Sequence, residues 1–477
     1  MWISMKNLKY IIIICLLFTV SYQSMWAKVQ LPSLLADNMV LQQQCQVKLW
    51  GKTTANTSIR ISCSWLSETI ITEADSAGLW DVMVQTPSAG GPYEIEFDDG
   101  DKLVLKNILI GEVWLCSGQS NMEMPIKGFY AQPVLGATQV IADATPDCPI
   151  RLFTVKKDAS ISCKDDVSGC WLEHTPESVA SFSATGYFFG QQLYRTLKVP
   201  VGLIHSSWGG SKVEAWMPEE ALKLYPEISL SHLIDGKKVK EPQRVASLLY
   251  NGMLYPLRNY CIKGIVWYQG EANRLDPEQY KRLFPDFVRE SRKLFANDSL
   301  PFCYAQIAPF GYQDEGHPFS GVLLREAQAE CEKLIPNVRM AVLTDIGEER
   351  CVHPSHKKEA GLRLAYQVLS HTYNKKGISG VSPRYVSKKV TDGKVELFFE
   401  HIGLGLTSFG QELSCFEIAG PDRKFHRAKA IIRWNKVVVW HDAISEPVAV
   451  RYAFHNYARG DLFGCNGLPV SSFRTDF

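Results

Sequence analysis

Short runs in which apolar and polar residues alternate mark the two ends of the chain. Between residues 28 and 105, such runs include residues 47–50 and 93–97, and glycine-containing turns separate them. Successive side chains of a strand point to opposite faces, so this alternation predicts strands with one buried face. Residues 28–105 are therefore predicted to form an N-terminal β-sandwich-like domain. The same pattern predicts a C-terminal β domain over residues 376–477.

Between residues 106 and 375, apolar strand-like runs alternate with longer amphipathic segments. The clearest helix signal is Asp276 as N-cap followed by Pro277, with apolar residues recurring on one helical face. A second helix is predicted after His356. Strand–helix alternation predicts an α/β domain with a mainly parallel sheet and helices on both sides. The strand candidates are residues 108–115, 199–205, 264–268, 302–307 and 340–344.

The N-terminus has the pattern of a secretory signal. Lys6 and Lys9 precede an apolar run over residues 10–20, which is followed by polar residues and a small residue at Ala27. Residues 1–27 are therefore predicted to be a signal peptide, and the protein to be exported as a periplasmic, cell-surface or extracellular protein. An uncleaved membrane anchor is the alternative. The run is short for a bilayer span, and no membrane span is expected after signal removal.

Composition narrows the classes of partner. The 477 residues are 46% hydrophobic and 21% charged, and the formal net charge is +1. These values are typical of a globular protein and give no basic surface that would indicate nucleic-acid binding.

His353 and His356 have metal-ligand spacing, but no further ligands accompany them. No paired Cys-x-x-Cys motif is present among the 13 cysteines. Neither a metal nor another cofactor is predicted.

Polar, glycine-rich segments follow the predicted strands of the middle domain. They contain Ser120, Gly210, Gln269 and His353, each just beyond the end of a strand. In open α/β sheets, ligands bind beyond the carboxyl ends of the strands. The four segments are therefore predicted to meet at one edge of the sheet and to form a site there.

Ser120 is the candidate nucleophile of that site, and His353 is its candidate base. A serine hydroxyl is a weak nucleophile until a base removes its proton, and imidazole titrates nearest to neutral pH. Gly210 brings a backbone N–H close to a substrate oxygen, and Gln269 offers a side-chain N–H for the same oxyanion. The alternatives are a helix cap for Ser120, a surface-loop histidine for His353 and a plain turn for Gly210.

These segments together resemble the sialate O-acetylesterase family, within the SGNH-hydrolase superfamily. The similarity extends over nearly the whole chain beyond residue 27, because flanking segments at residues 35–42 and 467–476 resemble the family as well. The segments of the middle domain that carry it are residues 111–114, 118–123, 182–190, 201–211, 250–253, 267–273 and 353–354.

The resemblance implies a flavodoxin-like three-layer SGNH hydrolase domain and metal-independent ester hydrolysis through an acetyl-enzyme. By position, Ser120 matches the family nucleophile and His353 the family base. Gly210 and Gln269 match the oxyanion positions, together with the Ser120 amide. Gln119, Asn121 and Trp208, which flank these positions, are the predicted substrate contacts.

The implied substrate is an O-acetylated glycan or sialic acid, with 9-O-acetyl sialic acid as the leading expectation. A second expectation is an acetyl-xylan esterase or a general carbohydrate acetylesterase of the same mechanism. A third, of another class, is a weakly active or inactive glycan-binding protein.

One position departs from the superfamily. Many members have an aspartate two residues before the catalytic histidine, and this chain has Cys351 there. A thiol supplies no fixed negative charge at neutral pH unless its pKa is lowered. The site is therefore expected to act as a Ser–His dyad with a backbone carbonyl holding the ring, or to use Asp345 or Glu271 as the orienting group.

Overall fold

The computed structural model describes residues 29–235 and 239–476. The predicted signal peptide, residues 1–27, lies outside this part of the chain. Within the described ranges, no helix has the length and apolar character needed to cross a membrane.

The N-terminal region is built from short strands, as the alternating pattern predicts. Val47 and Leu49 are buried while their neighbours along the strand are not. β2 and β5 pair with each other, whereas β3 pairs with both β4 and β6. The strands are β1 Val40–Gln42, β2 Gln46–Lys52, β3 Ser58–Cys63, β4 Ile70–Glu73, β5 Leu79–Gln85 and β6 Gly90–Asp98.

One long strand, β7 (Lys102–Gly118), belongs to two parts of the molecule. Its first half pairs antiparallel with β6, and residues 109–111 pair with β1. Its second half is the middle strand of the α/β domain. The boundary expected between residues 105 and 106 falls inside this strand, so the two parts share a strand instead of being joined by a linker.

The central sheet has the strand order β13-β12-β11-β7-β10-β8-β9. Neighbours are parallel except at β9, which is antiparallel to β8. The strands β10-β7-β11-β12-β13 have the order of a flavodoxin-like sheet. In that order the second strand along the chain, here β10, lies on one side of the first strand, here β7, and the third to fifth strands lie on the other side of the first. The added strands are β8 Ile150–Thr154, β9 Trp171–Leu172, β10 Val201–Ser207, β11 Gly264–Tyr268, β12 Phe302–Ala305 and β13 Val338–Ala341.

Nine α-helices lie in the described ranges, and four of them are long. The helices are α1 Ser120–Glu123, α2 Ala137–Ala142, α3 Pro176–Ser181, α4 Ala184–Leu197, α5 Glu219–Leu222, α6 His232–Asp235, α7 Pro277–Leu294, α8 Ser320–Leu334 and α9 Lys357–His371. Short 3₁₀ helices cover Val213–Trp216, Pro242–Arg244, Tyr255–Leu257 and Glu271–Asn273, and a π-helix covers Tyr250–Leu254.

The long helices cover both faces of the central sheet, as predicted for an α/β domain. Trp114 faces the cluster that contains α4 and α9, and its neighbour Val113 faces the cluster that contains α7 and α8. The predicted starts of two helices are confirmed. The Asp276 side chain accepts a hydrogen bond from the Gln279 backbone N–H, and α9 begins directly after His356.

The C-terminal region is a second β structure with its own core. Two four-stranded sheets, β14-β15-β20-β19 and β18-β17-β21-β23, enclose buried residues such as Leu397, Phe416 and Tyr452, and β16 pairs with β22. The strands are β14 Arg384–Thr391, β15 Lys394–Glu400, β16 Leu406–Thr407, β17 Phe416–Ala419, β18 Phe425–Arg427, β19 Lys429–Arg433, β20 Lys436–Trp440, β21 Ala449–Tyr452, β22 Phe463–Gly464 and β23 Phe473–Arg474.

Arg325 of α8 attaches the C-terminal region to the central domain. Its guanidinium is fully buried and donates to the carbonyl oxygens of His455 and Asn456 and to the Ser472 hydroxyl, at 2.5, 3.3 and 3.2 Å. Burial lowers the pKa of Arg325 to about 10. A buried cation is tolerated here because neighbouring oxygens replace its water.

Replacing this side chain is expected to destabilise the protein. Arg325→Leu leaves buried carbonyl oxygens without a donor, and we expect the free energy of unfolding in urea to fall by about 3 kcal/mol. The matched control is Arg289→Leu on the exposed face of α7, expected to change it by less than about 0.5 kcal/mol. Equal unfolding midpoints for the two variants would show that Arg325 does not stabilise this attachment.

Candidate functional site

The segments that follow β7, β10 and β11 lie side by side, as the topology predicts. The Gln119 N–H donates to the Tyr268 carbonyl at 2.9 Å, and the Trp208 N–H donates to the Gly118 carbonyl at 3.1 Å. Gly118 has a φ of +141°, and a Cβ at this position would overlap the Tyr268 carbonyl oxygen. Glycine is therefore required for the turn that leads from β7 to Ser120.

Ser120 is the first residue of α1 and is half-buried. The N-cap is Gln119, and its side chain makes no capping hydrogen bond. Ser120 is therefore not the helix cap that was the alternative to a nucleophile. Its hydroxyl has no hydrogen-bond partner within the described ranges, and it makes no hydrogen bond to the His353 ring.

Two glycines bring the loop after β10 against Ser120. A Cβ on Gly209 would lie 3.4 Å from the Ser120 Cβ, and the Gly209 N–H donates to the Glu123 carboxylate. Gly210 has a φ of +75°. Among the described residues, the N–H groups of Ser120 and Gly210 have no acceptor, so both are available to a substrate oxygen.

The Gln269 side chain is buried beneath the loops of this site and bonds to them. The side chain is fully buried, and its Nε2 donates to the Ser211 carbonyl at 3.1 Å and to Asn273 Oδ1 at 2.7 Å. Both amide hydrogens are thus used to join the loop after β10 to the loop after β11. The predicted role of Gln269 as a direct oxyanion donor is corrected to that of a support for the loop that carries Gly210.

His353 lies in the loop between β13 and α9, and its ring is held by residues of a different segment. Its Nδ1 is 2.7 Å from Gln132 Oε1, and the Phe129 ring packs edge-on at a centroid distance of 5.3 Å. Burial, with a smaller effect of the Lys357 ammonium, lowers the pKa of His353 to about 4. The imidazole is therefore neutral near pH 7, as a general base must be.

Neither predicted orienting carboxylate reaches the His353 ring. Asp345 forms a two-pronged pair with Arg363 at 2.6 and 2.7 Å, and Glu271 accepts from Asn121 Nδ2 at 2.5 Å. Both carboxylates are occupied elsewhere, which corrects the role predicted for them. The backbone carbonyl considered as an alternative gives way to the Gln132 side chain.

Asn121 stands at the centre of a buried polar network beneath Ser120. Its Nδ2 also donates to the Val352 carbonyl at 3.0 Å, and its Oδ1 accepts from Lys357 Nζ at 2.6 Å. Burial lowers the pKa of Lys357 to about 7, against the opposite effect of Glu271, and burial raises the pKa of Glu271. The network joins the helix that begins at Ser120, the loop after β11 and the loop that carries His353.

Of the three predicted substrate contacts, Trp208 is the one that reaches the surface. Gln119 is buried, and its Oε1 accepts from the N–H groups of Gly270 and Ala272 at 3.2 and 3.3 Å. Asn121 is fully buried in the network. The predicted contact roles of Gln119 and Asn121 are therefore corrected to structural ones.

An exposed cation lies beside Trp208. Lys157 Nζ is 5.6 Å from the Trp208 ring centroid and 2.6 Å from Glu123 Oε1. An aromatic face next to an ammonium group suits a sugar ring that bears a negative charge. This pair lies at the mouth of the site, next to Gly209.

Sequence reasoning missed Gln132, Lys357 and Lys157. Lys357 had a usable signal, because a lysine in the first turn of a helix opposes the helix dipole and so indicates another partner. Gln132 lies in an irregular segment without periodicity, and its contact with His353 spans 221 residues. Nothing in the local pattern around Gln132 or Lys157 indicates their positions.

Comparisons with known proteins agree with this geometry. A model of the carbohydrate esterase family described as sialic acid-specific acetylesterase matches residues 110–370. Sialate O-acetylesterase of Mus musculus is 26% identical over 428 residues, covering 77% of this chain and 78% of that protein. The Homo sapiens sialate O-acetylesterase is 28% identical over 417 residues, covering 80% and 76%. A crystal structure of a carbohydrate acetylesterase from Xanthomonas citri superimposes with a TM-score of 0.85 and 34% identity, covering 94% of this chain and 100% of that one.

The buried ammonium of Lys357 is expected to control the titration of His353. In Lys357→Met the like charge is removed, so protonation of the imidazole becomes easier and its pKa rises above 4. It stays below 6.5 because burial, the larger cause, remains. NMR titration of the labelled histidine measures this pKa, and Lys358→Met, an exposed neighbour, is the matched control. An unchanged pKa in Lys357→Met would contradict the coupling.

Proposed function

The chain belongs to the sialic acid-specific family of carbohydrate acetylesterases, and from this premise we propose that it acts through an acetyl-enzyme on Ser120. As a member of that family it is a carboxylic ester hydrolase that acts on O-acetyl esters of carbohydrates. The observation that carries the proposal is the placement of a free Ser120 hydroxyl at the start of a helix, against the Gly209-Gly210 loop. The fold assignment that goes with it is an SGNH-type hydrolase domain.

The proposed reaction begins with proton transfer. His353 takes the proton of the Ser120 hydroxyl, and the Ser120 oxygen attacks the acetyl carbonyl. The resulting oxyanion is held by the N–H groups of Ser120 and Gly210, and the dipole of the first helical turn adds to this stabilisation. Protonated His353 then gives its proton to the departing sugar oxygen. Water, activated in the same way, releases acetate from Ser120.

The proposed substrate is 9-O-acetyl sialic acid. Sialic acid carries a carboxylate, and the exposed Lys157 ammonium beside Trp208, which also pairs with Glu123, supplies a positive charge that this carboxylate would share. Acetylated xylan, a neutral polymer, would use the Trp208 ring alone.

A glycan-binding protein without activity is the alternative of another class. It has less support, because His353 remains next to a side chain that orients it. Export to the periplasm, the cell surface or the medium is part of the proposal.

Removal of the nucleophile tests the mechanism. Ser120→Ala is expected to lower kcat for a chromogenic acetyl ester by at least about a thousandfold, because no covalent intermediate can form. Ser181→Ala, which removes the hydroxyl of an exposed serine at the end of α3, should leave kcat unchanged. If the wild type and Ser120→Ala release product equally slowly, the esterase mechanism is wrong and glycan binding is favoured.

Charge removal at the mouth tests the substrate. Lys157→Met is expected to lower kcat/KM for 9-O-acetyl sialic acid about fivefold more than for acetylated xylan, the size of a partly exposed ion pair. Lys164→Met, an exposed lysine of the same loop, is the matched control. Acetate release is measured on both substrates to obtain kcat/KM. An equal decrease in kcat/KM for both would contradict recognition of the sialate carboxylate by Lys157.

A further inference from the structure

The His353 ring is held by a neutral amide at the position where serine hydrolases usually have a carboxylate. Gln132 Oε1 lies 2.7 Å from His353 Nδ1. An amide oxygen can only accept, so the proton of the neutral imidazole is on Nδ1 and the lone pair is on Nε2. This is the tautomer that a general base for Ser120 requires.

The backbone around Gln132 fixes the position of its side chain. The N–H of Phe129 donates to the Gln132 carbonyl, and the N–H of Gln132 donates to the Phe129 carbonyl, each at 3.0 Å. The chain closes this tight turn through Ala131, with a φ of +55°. The Phe129 ring at one end of the turn packs against the His353 ring, and Gln132 at the other end bonds to it.

A second contact joins the same segment to the loop that carries His353. The Leu135 N–H donates to the Ser355 carbonyl at 3.0 Å, two residues beyond His353. Ser355 in turn donates to Glu348 through both its N–H and its hydroxyl, at 2.8 and 2.7 Å. Gln132 and His353 therefore belong to two loops that hold each other in register.

The thiol at the position of the orienting aspartate bonds the backbone of His353 and not its ring. Cys351 Sγ lies 3.2 Å from the backbone carbonyl of His353 and donates to it. Since Asp345 and Glu271 are occupied elsewhere, Gln132 is the side chain hydrogen-bonded to the His353 imidazole within residues 29–235 and 239–476.

We propose that Gln132 is the positioning residue of the Ser120–His353 pair, taking by hydrogen bonding the place that an aspartate takes in related sites. The proposal rests on the proposed esterase function and adds a consequence to it. A carboxylate stabilises the imidazolium formed during proton transfer, whereas an amide only orients the ring. The base therefore keeps a low proton affinity, and activity is retained into mildly acidic solution.

The charged and titratable groups around the ring agree with this consequence. Protonation of His353 is opposed by burial and by the Lys357 ammonium, which together lower its pKa to about 4. A base is active when neutral, so activity is lost only as pH falls through this value. Among the other titratable groups of this region, Cys351 bonds the backbone, Glu348 bonds Ser355 and Glu271 bonds Asn121. His356 lies 3.4 Å from Glu359, and Glu349 and Arg350 are exposed.

Two variants of Gln132 separate orientation from charge. Gln132→Ala removes the acceptor, so kcat is expected to fall about tenfold to a thousandfold while KM changes little. Gln132→Glu keeps the acceptor and adds a negative charge. It should retain activity at neutral pH and move the acidic limb of kcat/KM upward by at least about one pH unit. Thr138→Glu, which adds the same charge at an exposed position of α2, is the matched control and should leave the limb in place.

The readouts distinguish the possible failures. If Gln132→Glu leaves the acidic limb unmoved, or Gln132→Ala retains kcat within about twofold of the wild type, the positioning role is overturned. NMR titration of His353 provides a test that does not depend on activity, with an upward pKa shift expected in Gln132→Glu and none in Thr138→Glu. If Ser120→Ala retains activity but the NMR shift appears, the esterase mechanism fails while the Gln132–His353 contact stands.

Discussion

The buried side chain of Asn121 is the contact on which the site depends. One amide group donates to Glu271 and to the Val352 carbonyl and accepts from Lys357. These partners come from two segments, one next to Gln269 and one around His353, and Asn121 itself joins them to the segment that carries Ser120. A side chain with both donors and an acceptor can satisfy a carboxylate, a carbonyl and an ammonium at once. Few residue types could replace it without leaving a buried polar group unpaired.

The same network explains why a lysine is tolerated in the interior close to His353, the proposed base. Taking an ammonium out of water is costly, and Asn121 and Glu271 offset that cost at Lys357. In its protonated form, Lys357 opposes protonation of His353. Stability and chemistry are thus linked, because the group that holds the loops together also favours the neutral form of the base. The neutral amide of Gln132 acts in the same direction, since it adds no charge that would attract a proton.

Sequence reasoning found the elements and the strand ends, but it did not find the contacts within the site. Alternation and capping signals located the two β regions, the parallel strands and the starts of α7 and α9. Motif spacing located Ser120, Gly210 and His353 at one sheet edge. The roles predicted for Gln269 as an oxyanion donor and for Asp345 and Glu271 as orienting groups were not found, because these side chains bond to buried partners. The type and position of a residue do not determine which way its side chain points, so these buried partners could not be predicted. Gln132 lies in a segment without periodicity, and its contact with His353 is seen only in the folded chain.

The strand β7 has a consequence for how the protein folds and how its family can diversify. Because one continuous backbone serves two sheets, the N-terminal β structure cannot complete its pairing until residues 102–111 have left the ribosome. The two parts must then nucleate on a common element. Gly111 lies against the Pro200 backbone at the crossing, and a one-residue insertion there would invert the inward and outward faces of one half of β7 relative to the other half. The register of β7 in one part of the molecule therefore fixes which of its side chains face inward in the other part.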